Sequence, residues 1–333
     1  MIPEQHLPAV TRALQSAFNT NTYDEIHAPA GGLSPSLVYR IVVNGRPYLL
    51  RIISGQAWGD PAREFAAMQA GSDAGIAPRI HYSSLEDRLL LTDFIQTQPY
   101  PADMALHMAG VLRSLHALPS FPPPARGDYL TTMDGFVRRF QAANLLPESL
   151  GADIFSRYDE IIAAYRRLPA EHVSSHNDVK PQNTLFDGTR VWLVDWEAAF
   201  LNDRYVDLAI VANFFVLDEA SSQASEQPYL AAYFAERAGP HRTARFYLMR
   251  QLLHMFYPAL ICVLHSATGT PVSGLSIEAA PDFADYHRRL ISGEIPLTTP
   301  AEKLEYAGVH LSRFRQNIDS PRLAESFATL SND

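Results

Sequence analysis

The chain has 333 residues, enough for one large domain or two lobes, and its 47% hydrophobic against 19% charged content excludes a disordered polypeptide. The formal charge of −9, from 27 basic and 36 acidic side chains, argues against nonspecific nucleic-acid binding. It is mildly favourable for a cationic substrate, the simpler alternative being that acidity only aids solubility. The single cysteine, Cys262, excludes an intrachain disulfide framework and suits a reducing, cytoplasmic setting.

The first twenty residues lack the basic start and apolar run of a secretory signal, and residues 7–18 carry the pattern of a short amphipathic helix instead. Two β-rich runs, 37–43 and 48–53, flank Asn44-Gly45, a strong hairpin turn signal. Asp60-Pro61 opens a predicted helix to about residue 70, with Asp as N-cap and Pro in the first turn. Strands are predicted at 79–83 and 88–92. From about residue 99 the apolar spacing becomes helical, with helices predicted at 104–118, 133–143 and 154–168. Two short apolar runs, 184–186 and 191–194, flank Asp187-Gly188 as a second hairpin, and the chain beyond residue 203 reads as mostly helical. The longest apolar stretch, 255–264, is too short to span a bilayer and contains Pro258. A β-rich small lobe, a short crossover and a helical large lobe imply a cleft near residues 91–99.

The most informative string is residues 175–183, Ser-His-Asn-Asp-Val-Lys-Pro-Gln-Asn, of the form H-x-D-x-x-x-x-N. After a short strand it is followed by Leu193-Val194-Asp195-Trp196-Glu197. Phosphoryl transfer needs a carboxylate near the attacking hydroxyl and oxygen ligands for a metal that holds the nucleotide phosphates. Asp178 is the candidate for the first. Asn183 and Asp195 are candidates for the second, with hard oxygen atoms suited to Mg²⁺.

These strings resemble the aminoglycoside phosphotransferase and choline kinase superfamily, relatives of the protein kinases, in order over most of residues 25–215. His176-Asn177-Asp178, Asp195-Trp196-Glu197 and the run Asp203-Arg-Tyr-Val-Asp207-Leu-Ala-Ile-Val-Ala-Asn213-Phe are particularly similar to the choline and ethanolamine kinase branch. The resemblance implies an α+β, protein-kinase-like two-lobed fold. Residues 1–95 would form the nucleotide-binding lobe around a small antiparallel sheet. Residues 96–333 would form a larger, mainly helical lobe for catalysis and acceptor binding. It further implies ATP and Mg²⁺ as cofactors, Asp178 as the catalytic residue, and Asn183 and Asp195 as metal ligands. His176 would organise the catalytic loop, and Asp207 would anchor it. Glu197 would approach the metal indirectly or make a structural hydrogen bond. Lys180 is similar to the protein-kinase lysine that neutralises the transferred phosphate; the alternative is a solvated loop residue.

In the small lobe, residues 30–36 (Ala-Gly-Gly-Leu-Ser-Pro-Ser) precede the first hairpin strand. Gly31, Gly32 and Ser34 offer tight turns and free N–H groups for phosphate oxygens. The strand containing Arg51 resembles the one whose basic residue binds the α- and β-phosphates, with Glu64 as its ion-pair partner. Arginine replaces the lysine of protein kinases and would bring a forked geometry. The simpler alternative is an ordinary surface ion pair. Residues 91–95 fall where the adenine hinge belongs.

The acceptor is expected to be the hydroxyl of a small, amine-containing molecule. Phe246, Tyr247, Phe256, Tyr257, Tyr229 and Tyr233 could enclose a cation, or could simply build a helical core. His254 and His265 read as packing residues, since no Cys or His spacing supports zinc. A protein kinase is disfavoured because no Asp-Phe-Gly and Ala-Pro-Glu pair delimits an activation loop, and a hydrolase lacks a nucleophile elbow. The competing reading is a non-catalytic nucleotide-binding protein on the same fold. No nucleic acid and no membrane span are expected, and the oligomeric state is open.

Overall fold

The computed structural model describes every residue except 29–35, 54–59, 125–126, 218–222, 268, 270–271, 273–274 and 332–333. The chain forms two compact units. One comprises Met1–Tyr100, Ala117–Pro122 and His176–Phe200; the other comprises Pro101–His116, Pro123–Ser175 and Leu201–Asp333. The segment with the catalytic-loop motif thus packs with the N-terminal residues, although it lies far beyond residue 96 in the chain.

The first unit is built on a five-stranded antiparallel sheet of order β1-β2-β3-β5-β4, with β1 Glu25–His27, β2 Leu37–Val43, β3 Arg46–Ile52, β4 Ile80–Ser84 and β5 Leu89–Asp93. The β-branched run of β2 turns tightly at Asn44 and Gly45, whose φ values of 52° and 73° suit a hairpin turn with both central residues left-handed. The turn holds only two residues, so Val43 pairs directly with Arg46 and β3 begins two residues before the predicted position. Helix α1, Leu7–Phe18, buries Ala9, Val10, Ala13 and Leu14 against Ile41, Val43, Leu50 and Leu91 of the sheet. Helix α2, Pro61–Asp73, starts where expected, because the Asp60 carboxylate accepts the Ala62 N–H at 2.9 Å. It continues three residues past the predicted end, through Gly71, although glycine costs about 1 kcal/mol relative to alanine inside a helix. The hairpin of β7 Thr184–Phe186 and β8 Val191–Leu193 completes the unit. In its turn the Asp187 carboxylate accepts from the Thr189 and Arg190 amides and from the Trp192 indole.

The second unit is mainly helical, with α3 Met104–His116, α4 Tyr129–Ala142, α5 Glu148–Ala164, α6 Arg204–Phe215, α7 Gln223–Phe234, α8 Pro240–Ala267, α9 Phe283–Ile291, α10 Pro300–Ile318 and α11 Pro321–Ser331. A two-stranded pairing of β6 His172–Ser175 with β9 Phe200–Asp203 was not anticipated from so short a pattern. Helix α4 begins four residues before its predicted start because Asp128 caps it, accepting the Thr131 N–H at 2.6 Å. Helix α8 is the axis of this unit, packed by α4, α6, α10 and α11. By length and composition it could cross a membrane, and among the described residues it is the one helix that could. Most of it is buried, and it carries Arg245 and Arg250 into the interior, where they pair with Asp203 and Glu226 at 2.7 Å. These features identify a core helix.

Candidate active site

The residues singled out by the H-x-D-x-x-x-x-N string and its downstream aspartate come together in the first unit. Asp178 lies in the loop after β6, and Asn183 closes a short 3-10 turn that leads into β7. The Asn183 amide nitrogen donates to the Asp178 backbone oxygen at 3.0 Å and to its carboxylate Oδ2 at 2.7 Å. Lys180 Nζ donates to the same Oδ2 at 2.6 Å. Burial pushes the Asp178 pKa up, opposed by Lys180 and by His176, while Asp195 adds to the rise. The loop is braced from behind by Tyr100, whose hydroxyl donates to the Pro181 oxygen at 2.8 Å. Burial raises that phenol to about 12, so it stays protonated as a donor.

Asp195 follows β8 directly. The Val194 N–H bonds the Asn183 carbonyl at 3.0 Å, which sets the two candidate metal ligands beside each other through the backbone. Asn177 and Asp195 both have φ of 65°, in the left-handed region. Few side chains tolerate it, and Asn and Asp are the commonest non-glycine exceptions. The Asn177 amide also donates to the Ala198 oxygen at 2.8 Å, tying the loop before Asp178 to the turn after Asp195. His176 is fully buried, with Nε2 at 3.0 Å from the Val194 oxygen and its ring 4.9 Å from Trp196.

Arg51 occupies β3, held in register between Val38 of β2 and Leu90 of β5. Its guanidinium bonds the Glu64 carboxylate, lies 3.5 Å from Asp195 Oδ1, and donates from Nε to the Ser36 hydroxyl at 3.3 Å. The Arg51 and Glu64 side chains are only 12% and 6% exposed, so this is a buried pair rather than an ordinary surface one. Burial raises the Glu64 pKa, with Arg51 opposing and Asp195 reinforcing the rise. Glu197 is likewise pushed up, first by burial and then by Asp195. Four carboxylates (Glu64, Asp178, Asp195 and Glu197) therefore influence one another in the presence of two cations, Arg51 and Lys180. This excess of negative charge among oxygen ligands fits a hard divalent cation. Among the described residues no group of three or more His, Cys, Asp or Glu side chains forms a metal site of its own. Gly31, Gly32 and Ser34 lie outside the described residues.

Several neighbouring groups were not singled out by motif reasoning. Tyr100 and Ser36 act through hydrogen bonds that no sequence pattern announces. The aromatic residues considered for an acceptor are mostly core: Phe246, Tyr247, Tyr229 and Tyr233 are at most 4% exposed. The Tyr229 hydroxyl donates to the Leu208 oxygen, and Tyr233 bonds His116. His254 is fully buried and bonds His310, in keeping with a packing role. Asp207 is buried within the second unit, 3.1 Å from His116.

The sheet, the helical unit and the order of these motifs define a protein-kinase-like fold of the phosphotransferase kind. The chain belongs to the phosphotransferase enzyme family that includes the aminoglycoside phosphotransferases, and the family's sequence profile matches residues 25–246. Among solved structures, it resembles a choline/ethanolamine kinase family protein from Mesorhizobium loti, with 20% identity, a TM-score of 0.67, and coverage of 98% of this chain and 100% of that one. A choline kinase from Cryptosporidium parvum gives 15% identity and a TM-score of 0.62, covering 94% of each chain. A spectinomycin phosphotransferase solved with ADP and spectinomycin gives 11% identity and a TM-score of 0.55, covering 91% of this chain and 98% of that one. A sequence search of curated proteins finds no significant match.

Proposed function

We propose that this protein is an ATP- and Mg²⁺-dependent kinase that moves the γ-phosphate to a hydroxyl of a small, amine-containing acceptor, in a cytoplasmic setting. The observation that carries the reading is the convergence on Asp178. One carboxylate oxygen is held by both Lys180 and Asn183, within a compact unit that also holds Asp195 and the Arg51–Glu64 pair. With Oδ2 so engaged, Oδ1 is the oxygen left to accept the proton of an acceptor hydroxyl. The raised pKa of Asp178 strengthens it as a base.

Asn183 and Asp195 would hold the metal. The Asn183 amide nitrogen is committed to Asp178, which leaves its oxygen for the cation. When bound, the ion neutralises charge on the nucleotide phosphates. The Arg51 fork would take α- and β-phosphate oxygens, with Glu64 fixing its direction. Lys180 would exchange its contact with Asp178 for the transferred phosphate and stabilise charge there. Gly31, Gly32 and Ser34 would cover the phosphates with backbone N–H groups. The functional division would then be residues 1–95 for nucleotide binding and residues 96–333 for catalysis and acceptor binding. A non-catalytic nucleotide-binding protein would have no need of a carboxylate held in this way, which favours the enzyme.

An acceptor with a positive charge is supported by the net charge of −9 and by the choline-kinase-like strings. Of the six aromatic candidates, the half-buried Tyr257 and then Phe256, at 8% exposed, are the least enclosed. The test is ADP release with Mg²⁺, Mn²⁺ or Zn²⁺ against choline, ethanolamine, aminoglycosides, sugars and homoserine. Turnover with Mg²⁺ or Mn²⁺ and an amino alcohol is expected; no ADP release with any acceptor would reject the kinase. Choline should also outperform its uncharged analogue 3,3-dimethylbutanol by up to about thirtyfold in kcat/KM, the range of one cation–π contact. Equal use of both would reject the cationic acceptor alone.

A further inference from the structure

Gly71 sits in the last turn of α2, seven residues after Glu64, where a better helix former would be expected. Its environment explains the choice. A methyl group built on Gly71 would lie 2.6 and 2.7 Å from Cζ2 and Cη2 of Trp196, far inside van der Waals contact, and 3.3 Å from the Ala77 methyl. Trp196 cannot readily give way. It is fully buried, its ring packs at a tilt against His176 with centroids 4.9 Å apart, its edge meets Phe121 at 6.5 Å, and its indole N–H donates to the Leu193 oxygen at 3.1 Å.

The backbone makes a second link at the same place. The Gly71 carbonyl accepts the Ile76 and Ala77 amides, and the Ile76 carbonyl in turn accepts the Leu193 N–H of β8 at 2.8 Å. The C-terminal end of α2 is thereby attached to the strand that delivers Asp195. The other end of α2 delivers Glu64, and Arg51 bridges Glu64 and Asp195.

We propose that the Gly71–Trp196 contact is the joint that sets the distance between α2 and Asp195, making Gly71 and Trp196 positioning residues for the Arg51–Glu64–Asp195 group. Its consequence for catalysis rests on the nucleotide-binding reading of that group. Side-chain bulk at position 71 pushes α2 away from the turn after β8, carries Glu64 with it, and leaves Arg51 without its orienting partner. Loss of bulk at position 196 removes the stop against which α2 rests.

The joint predicts a reversal of sign. An unstrained glycine inside a helix gains stability when replaced by alanine, because the unfolded chain loses freedom. Here Gly71→Ala destabilises the wild-type chain and stabilises a Trp196→Leu chain, which has room for the methyl group. Gly71→Val weakens Mg·ATP binding by about tenfold or more, as expected when binding groups are displaced by a fraction of an ångström to one ångström. Gly71→Val combined with Trp196→Leu recovers most of that loss.

The experiment measures three quantities for each single and double variant: urea stability, Mg·ATP affinity by calorimetry, and the Arg51–Glu64 coupling from a double-mutant cycle in each background. The last needs no nucleotide, so it decides the joint even if the wild-type chain fails to bind ATP, a result that would reject the functional reading instead. Loss of coupling in Gly71→Val and its return with Trp196→Leu support the joint. Unchanged coupling in Gly71→Val, or a double variant no better than Gly71→Val, overturns it. If Gly71→Val does not fold, Gly71→Ala decides by sign: stabilisation in the wild-type background overturns the joint.

Discussion

Charged groups are buried in both units of this protein, but they are balanced differently. In the second unit the buried carboxylates are met by arginines: Arg245 bonds Asp203, and Arg250 and Arg322 both bond Glu226. Asp203 also accepts from the Tyr165 hydroxyl and caps α6, contacts that oppose the rise in its proton affinity caused by burial. In the first unit, burial and the neighbouring Asp195 raise the proton affinity of Glu64, Asp178 and Glu197, and the cations Arg51 and Lys180 oppose the rise. Carboxylates met by arginines hold helices together, whereas carboxylates that outnumber their cations, one of them (Asp195) on left-handed backbone, are what a functional site is expected to present. Burial of charge is therefore a poor guide to function without its sign.

The sharpest way to break this contrast is to remove a charge from each side. Asp178→Asn should leave urea stability nearly unchanged and lower turnover by about 10²- to 10⁴-fold, the usual contribution of a positioned base. Turnover close to wild type would remove Asp178 from the chemistry. Arg245→Met should do the reverse, leaving Asp203 buried without its cation and lowering stability by about 3 kcal/mol, as breaking a buried pair does. Urea denaturation measures it, and an unaltered midpoint would show that the pair contributes little.

Two smaller effects concern protons. Lys180 lowers the proton affinity of Asp178, which burial raises. Lys180→Ala should therefore move the acid limb of the kcat/KM profile to higher pH, because the base then loses its proton-repelling neighbour. A limb that stays in place would separate Lys180 from the titration of Asp178.

The smallest expected effect lies in the second unit, where His254, His287 and His310 cluster with Phe283 and Tyr306. Burial holds His287 near 3 and His310 well below its ordinary value, with Arg250 and Arg313 opposing a further positive charge on His287. Both folded values lie below those of the unfolded chain, which therefore takes up protons first. Stability is complete above about pH 6.5 and is lost progressively as the pH falls from there towards 3. His310→Gln should flatten that slope by about one proton in urea titrations between pH 7.5 and 5. An unchanged slope would show that His310 does not titrate on unfolding.

Much of this could be read along the chain because it depends on residues close in sequence. Asn44-Gly45 specified its hairpin through the left-handed backbone both residues adopt, and Asp60-Pro61 specified the start of α2 through a cap two residues long. The spacing from His176 to Asn183 pointed to a short loop returning on Asp178, since five residues suffice for the Asn183 amide to reach back to it. The early start of α4 and the β6–β9 pairing escaped because a single cap, or a strand of four residues, leaves too little periodicity to detect.

What only the folded chain decided were the relations across long separations. Arg51 and Asp195 lie 144 positions apart, and nothing local in either stretch dictates that they meet. The aromatic residues of α8 carry the same composition whether they line a site or fill a core. Burial by α4, α6, α10 and α11 assigned most of them to the core. Gly71 read along the chain is a weak point in a helix. Only the indole of Trp196, brought against it by tertiary packing, shows that the missing side chain is space already taken.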